Sequence, residues 1–232
     1  MDSLLQQLIS IDQSLLLQLN GSQSLFWDRV MMLVTSTQIS IPLFAMLLYV
    51  LFKNNTTKYF WATLLTIGLT ILVCDQVASG ICKPLFLRYR PTHDPSIMYL
   101  VDIVDGYRGG RYGFISSHAS NTFGLCVFLS LLFRHKGLTP LLFIWASLST
   151  YSRIYLGVHY VGDIFFGALL GCLSGYLFHR LLVWASPRLG STLRTRISSS
   201  PCTPTGYPMS DVRLIILTLL CTYAIVPILA VI

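Results

Sequence analysis

Six apolar stretches, 31–52, 59–81, 120–133, 138–155, 160–184 and 212–232, alternate with short polar or basic connections along the 232-residue chain. A helix that crosses ~30 Å of hydrocarbon needs about 20 mostly apolar residues. The pattern therefore predicts an all-α, polytopic membrane protein, a six-transmembrane helical bundle. The third stretch is short as counted, and its helix is expected to begin near Ser117. Ahead of the first, Leu4, Leu5, Leu8, Ile11, Leu15, Leu16 and Leu19 recur at helical spacing between Gln, Ser and Asp. That spacing predicts an N-terminal amphipathic helix lying at the membrane interface, ended by Asn20-Gly21-Ser22. The expected organisation is an amphipathic segment 1–30, a five-span core 31–185, a Ser/Pro/Thr-rich cytoplasmic linker 186–210 and a C-terminal transmembrane helix 211–232.

Composition supports the membrane reading. Only 11% of residues are charged against 54% hydrophobic, and mean hydropathy is +0.67; soluble domains carry roughly 25% charged residues. The net charge of +7 does not indicate nucleic acid, because Lys and Arg sit in short clusters between apolar runs rather than on one soluble face. All nine acidic residues are Asp. The six cysteines follow no metal-type spacing, so neither a disulfide framework nor a metal cluster is expected from them. The first Lys or Arg is Arg29, so no basic region of a cleaved signal peptide is read.

Basic residues in short loops set the orientation. Lys53, Lys58, Arg134, Lys136, Arg180, Arg188, Arg194, Arg196 and Arg213 all fall on one side of a six-span bundle, which should be cytoplasmic. The loop 82–113 falls outside, yet it holds Lys83, Arg88, Arg90, Arg108 and Arg111. A basic loop on that side needs a reason of its own.

Three clusters supply one. Lys83 and Arg90-Pro91 open the basic loop; Ser116, Ser117 and His118 start the third span; Ser152-Arg153, His159 and Asp163 bridge the fourth and fifth. The map puts all three at the outer ends of helices, where charges at membrane depth default to functional readings. Each part also has a structural reading: snorkelling for Lys83 and Arg90, helix capping for Ser116 and Ser117, a one-turn hydrogen bond for His159 and Asp163. Two histidines and an Asp could also hold a metal, but three fixed cations would repel one and attract phosphate.

Phosphoryl transfer fits the whole set. Lys83, Arg90 and Arg153 can neutralise phosphate oxygens, Ser116 and Ser117 join them as expected phosphate-binding residues, and backbone N–H groups at Ser117 and His118 would add a helix N-terminus aimed at the same anion. His159 is the candidate nucleophile, Asp163 the acid that orients its ring, and His118 the general acid for the departing alkoxide. No cofactor is required. Arg108 and Arg111 flank two glycines and could grip a second phosphate or a sugar headgroup or form a solvated loop tip, and Asp75 could brace Lys83 or simply mark the end of its span.

These residues resemble the signatures of the type 2 phosphatidic acid phosphatase family. Lys83, six residues, Arg90-Pro91 matches the first, and Ser152-Arg153, five residues, His159, three residues, Asp163 matches the third. The second departs: the family's Pro-Ser-Gly-His reads Ile115-Ser116-Ser117-His118 here, with Ser117 replacing a Gly whose backbone approaches phosphate. The resemblance runs from about Lys83 to Gly171. It implies a metal-independent phosphatase working through a phosphohistidine, in a bacterial inner membrane with its site facing the periplasm. Implied substrates are lipid A (its 4′-phosphate), undecaprenyl diphosphate, phosphatidylglycerol phosphate or phosphatidate. Its partners are then a membrane lipid phosphate and the bilayer, with no obligate protein partner. A lipid phosphotransferase sharing the triad, or a phosphate or lipid transporter, remains an alternative.

Overall fold

A computed structural model describes residues 2–189 and 201–231. No strand is present among them. Helix α1 spans Asp2–Leu19 and α2 Leu25–Thr35, followed by α3 Ile41–Asn54 and α4 Thr57–Asp75. Helix α4 runs on through π-helical turns at Gln76–Cys82 into a last turn, α5, Lys83–Phe86. After a loop come α6 Ser117–Phe133, α7 Leu138–Tyr155, α8 Val161–Ala185 and α9 Met209–Leu229.

Four segments are long and apolar enough to cross a membrane: Thr37–Asn54, Thr57–Phe86, Val161–Leu189 and Met209–Leu229. Ser117–Phe133 is apolar but shorter, and α7 is diluted by Ser147, Ser149, Thr150, Ser152 and Arg153. α6 lies deep in the bundle, whereas α7 buries one face and exposes Phe143 and Ile144 on the other. α6 buries side chains all round its circumference, from Ala119 and Ser120 to Leu132 and Phe133, so it needs no continuous lipid-facing stripe. The outer helices do present one: Leu65, Leu72, Leu169, Leu173, Leu217 and Ile228 are all exposed. Apolar surface on that scale belongs against lipid.

The first expected span, 31–52, is not one helix. The chain leaves helix at Ser36, makes a 3-10 turn at Thr37–Ser40 and restarts at Ile41. Its run of Thr35, Ser36, Thr37 and Gln38 weakens the helix, and Pro42 is tolerated only in a first turn. Val30 and Val34 of α2 pack instead on Val226 and Ala230 at the far end of α9. The expected linker 186–210 also proves partly folded. Residues 190–200 lie outside the described chain, but Tyr207 is buried, hydrogen-bonds Asn55 at 3.0 Å and stacks on Phe133. Its two aromatic and polar contacts anchor the segment before α9, where Lys53 pairs with Asp211 at 2.7 Å.

The central joint is the seam between α6 and α8. Gly167, Gly171 and Gly175 recur every four residues along one face of α8. A Cβ at Gly167 would stand 2.5 Å from the Ser116 carbonyl oxygen; at Gly171 and Gly175 it would collide with the carbonyls of Ser120 and Gly124. Small residues at this spacing let membrane helices approach backbone to backbone. The approach carries the start of α8 against the start of α6, and Ser116 N–H donates to the Asp163 carbonyl at 3.0 Å.

The N-terminal segment Asp2–Leu19 is helical. It buries Leu16 with Ile97, Val101, Ile154 and Tyr160, while Leu4, Leu5, Leu8 and Ile11 remain exposed. Gly21, at φ +63°, turns the chain after it, and Asn20 donates to the carbonyls of Tyr155 at 2.7 Å and Asp102 at 3.0 Å.

Candidate active site

One end of the bundle gathers the end of α4–α5, the start of α6, the end of α7 and the α7–α8 loop. Each brings part of the chemistry. Lys83 opens α5 immediately after the π-helical turns, where the ladder of backbone bonds changes register; Pro84 next to it has no N–H to give that ladder. Lys83 Nζ donates to Ser79 Oγ at 2.9 Å and reaches Ser117 Oγ at 3.4 Å. Arg90 is buried and donates to two backbone carbonyls, Tyr112 at 3.2 Å and Val158 at 3.3 Å. Arg153, at the end of α7, donates to Thr35 Oγ1 at 2.8 Å and Tyr107 OH at 3.0 Å. Its Nε is buried with no partner among the described residues.

None of these three cations pairs with a carboxylate among the described residues. Asp75, read from the sequence as a brace for Lys83 or a mark of the span's end, forms no salt bridge with it. Arg90 and Arg153 are buried and Lys83 is half-buried, and positive charges so placed without a paired counter-ion are costly.

His159 lies in the loop between α7 and α8, and Asp163 is the third residue of α8. Asp163 Oδ2 accepts from His159 Nδ1 at 3.2 Å and from Tyr160 N–H at 3.1 Å, so the start of the helix aims the carboxylate at the ring. Burial, reinforced by the charges of Arg90, Arg153, Lys83 and His118, holds the His159 imidazole well below its ordinary range. The ring is thus neutral, and with Nδ1 engaged its Nε2 keeps the lone pair that a nucleophile needs. His118, in the first turn of α6, bonds through Nε2 to Ser149 Oγ at 2.9 Å.

Of the expected residues, Lys83, Arg90, Ser117, His118, Arg153, His159 and Asp163 meet at this end. Ser116 plays a different part. Its fully buried hydroxyl accepts from Ala119 N–H at 3.3 Å and caps α6, which leaves its side chain no route to a ligand. The replacement of Gly by Ser at 117 supplies a second hydroxyl beside Lys83.

Two contributors were not singled out from the sequence. Gly113 runs directly past the pair: a Cβ there would stand 2.9 Å from Asp163 Oδ2, 3.1 Å from Arg90 Cγ and 3.6 Å from His159 Nδ1. Arg88 leaves the phosphate site altogether and bridges Asp163 to Asp12. Arg108 and Arg111 are exposed; Arg111 donates to Tyr89 OH at 3.0 Å and stacks over Tyr89 and Tyr112.

Beside the site lies an apolar cavity of about 880 Å³. Leu5, Leu8 and Leu15 of α1 form one wall, and Phe86, Phe114, Phe165 and Phe166 the other. Arg88 and Asp12 lie at its polar margin.

The chain is similar to known proteins. Residues 59–187 match the PAP2 superfamily. A lipid A 4′-phosphatase from Bacteroides thetaiotaomicron is 39% identical over 222 residues, covering 95% of this chain and 96% of that protein. A lipid A 4′-phosphatase from Porphyromonas gingivalis is 34% identical over 218 residues, covering 93% of this chain and 89% of its own. No solved structure matches the chain.

Proposed function

Since the chain belongs to the PAP2 superfamily, we propose that it is a lipid phosphatase that removes the 4′-phosphate of lipid A through a phosphohistidine. The observation that carries this reading is the His159–Asp163 pair set near buried Arg90 and Arg153 and half-buried Lys83, none of which forms a salt bridge with a carboxylate among the described residues. Lys83, Arg90 and Arg153 take the non-bridging phosphate oxygens, with the N–H groups at the start of α6 as further donors. His159 Nε2 attacks phosphorus, and the bond to the sugar oxygen breaks as the N–P bond forms. Asp163 stabilises the positive ring. His118 protonates the departing oxygen, and water then cleaves the phosphohistidine to release inorganic phosphate. The substrate class is argued from the two relatives, together with an apolar cavity beside the site whose volume, about 880 Å³, suits acyl chains.

The same reading sets the membrane arrangement. Six crossings, α3, α4–α5, α6, α7, α8 and α9, place Lys53, Arg134, Arg180 and Arg213 at the cytoplasmic end and the site at the periplasmic face of the inner membrane. α1 then lies in the outer interface with its exposed leucines in lipid.

The test is phosphate release from bis-phosphorylated lipid A by the purified protein in EDTA, with mass spectrometry locating the phosphate lost. Selective loss from the 4′-position, abolished in His159→Ala, is expected. Activity that EDTA removes and a divalent metal restores, or that survives His159→Ala, overturns the mechanism; loss from the 1-position only, or turnover of undecaprenyl diphosphate alone, overturns the substrate.

A further inference from the structure

Arg88 and Arg90 leave the same loop two residues apart and meet opposite surroundings. Arg90 donates to carbonyl oxygens and forms no salt bridge among the described residues, whereas Arg88 is held between two carboxylates. Its Nη1 donates to Asp163 Oδ1 at 3.0 Å and its Nη2 to Asp12 Oδ2 at 2.8 Å, while the guanidinium lies 4.1 Å over the Tyr160 ring. Asp12 comes from α1. Its other oxygen accepts the Gly162 N–H at 2.9 Å, so it also caps the start of the helix that carries Asp163. A side chain at 162 would not fit: its Cβ would stand 2.7 Å from Asp12 Oδ2.

Two consequences follow from the charges. Asp163 has both oxygens committed, Oδ1 to Arg88 and Oδ2 to His159 and Tyr160, so the carboxylate cannot turn away from the ring. Yet a lone arginine on Oδ1 would cancel at His159 much of the negative charge that stabilises an imidazolium. Asp12 restores it: Asp12, Arg88 and Asp163 together carry one net negative charge, and Asp12 draws the guanidinium toward itself. The proposed mechanism assigns neither Asp12 nor Arg88 to the phosphate.

We propose that Asp12 and Arg88 are positioning residues for the His159–Asp163 pair. Arg88 locks the orientation of Asp163, and Asp12, delivered by the N-terminal helix, offsets the Arg88 charge so that Asp163 can act on His159. The inference rests on His159 and Asp163 being the catalytic pair proposed above. It gives α1 a task beyond lying on the membrane: the helix completes the electrostatics of the site.

The experiment is a double-mutant cycle on the full-length protein in detergent, with lipid A as substrate. Asp12→Asn should lower kcat by about tenfold and leave KM within about twofold, since the phosphate contacts are intact. Asp12→Glu should recover most of the loss. In an Arg88→Met background, Asp12→Asn should cost less than about twofold, because the charge it offsets is gone. Gln13→Ala removes the bonds of α1 to Ser96 and Asp94 without altering this charge set, and should keep wild-type kcat. Where Asp12→Asn does not fold, Asp12→Ser replaces it, keeping an acceptor for the Gly162 N–H. Wild-type kcat in the uncharged Asp12 variant, an equal loss with and without Arg88, or the same loss in Gln13→Ala would each reduce Asp12 to a docking contact and overturn the proposal. Failure of the underlying mechanism looks different: His159→Ala would then retain activity whatever the Asp12 variants do.

Discussion

Gly113 offers the sharpest test of the site geometry, because its effect follows from space alone. A methyl group there would stand 2.9 Å from Asp163 Oδ2 and 3.1 Å from Arg90 Cγ, both closer than van der Waals contact allows. Neither neighbour is a free side-chain end. Asp163 is fixed by Tyr160, His159 and Arg88, and Arg90 by two carbonyls. Overpacking of this kind costs about 1–3 kcal/mol. If Asp163 and His159 give way, the cost falls on the attack geometry and amounts to roughly fivefold to 150-fold in kcat, at 1.36 kcal/mol per tenfold. Gly110, three residues earlier, is the internal control, since nothing lies within 4 Å of a Cβ there. Initial rates of phosphate release from lipid A by Gly113→Ala and Gly110→Ala, with thermal unfolding of each, separate the outcomes. A strong kcat loss in the first and wild-type kinetics in the second are expected. Wild-type kcat in Gly113→Ala, or equal losses in both, would refute the placement of the loop against the catalytic pair.

Two further outcomes concern the histidines. His159→Ala should abolish both turnover and any covalent phosphoenzyme, whereas the defect of His118→Ala should shrink with a nitrophenyl phosphate, whose leaving group needs little protonation; rescue of His159→Ala and not of His118→Ala would reverse the two roles. The depressed His159 ring should keep the acid limb of kcat/KM well below the ordinary imidazole value of 6.5. Between those two values the unfolded chain binds a proton that the folded site refuses, so stability should fall as pH falls through that window, and His159→Ala should lessen the dependence. An acid limb at 6.5 in a pH–rate profile would show the ring to be solvated instead.

The legible part of the fold was the part written in hydropathy. The stretch 138–155 coincides with α7, and 160–184 falls within one residue of α8 at each end. Hydropathy could not see the break at Ser36, because a run of Ser and Thr lowers a window average only slightly while it removes helix-forming backbone. Nor could it find the joint between α6 and α8. That joint is written in small residues four apart, Gly167, Gly171 and Gly175, a spacing visible in the sequence to a reader who asks where backbones touch.

The site divides in a similar way. His159 and Asp163 were legible as a pair from their four-residue spacing, but His159 precedes the helix, and the bond forms because Asp163 turns back over the start of α8 toward Tyr160 N–H and the ring. Arg88 was not. It has the same side chain as Arg90 and stands in the same loop, and spacing could count both only as unexplained positive charge. What separates them is which acids the fold delivers, and those come from 75 and 76 residues away, Asp163 on α8 and Asp12 on α1. The excess of basic residues in this outer loop therefore has two origins. Lys83 and Arg90 form no salt bridge among the described residues, whereas Arg88 is matched by two acids and ties the N-terminal helix to Asp163. The first group answers to the phosphate and the second to the geometry of Asp163. Removing a member of the first should therefore raise KM, while removing a member of the second should lower kcat.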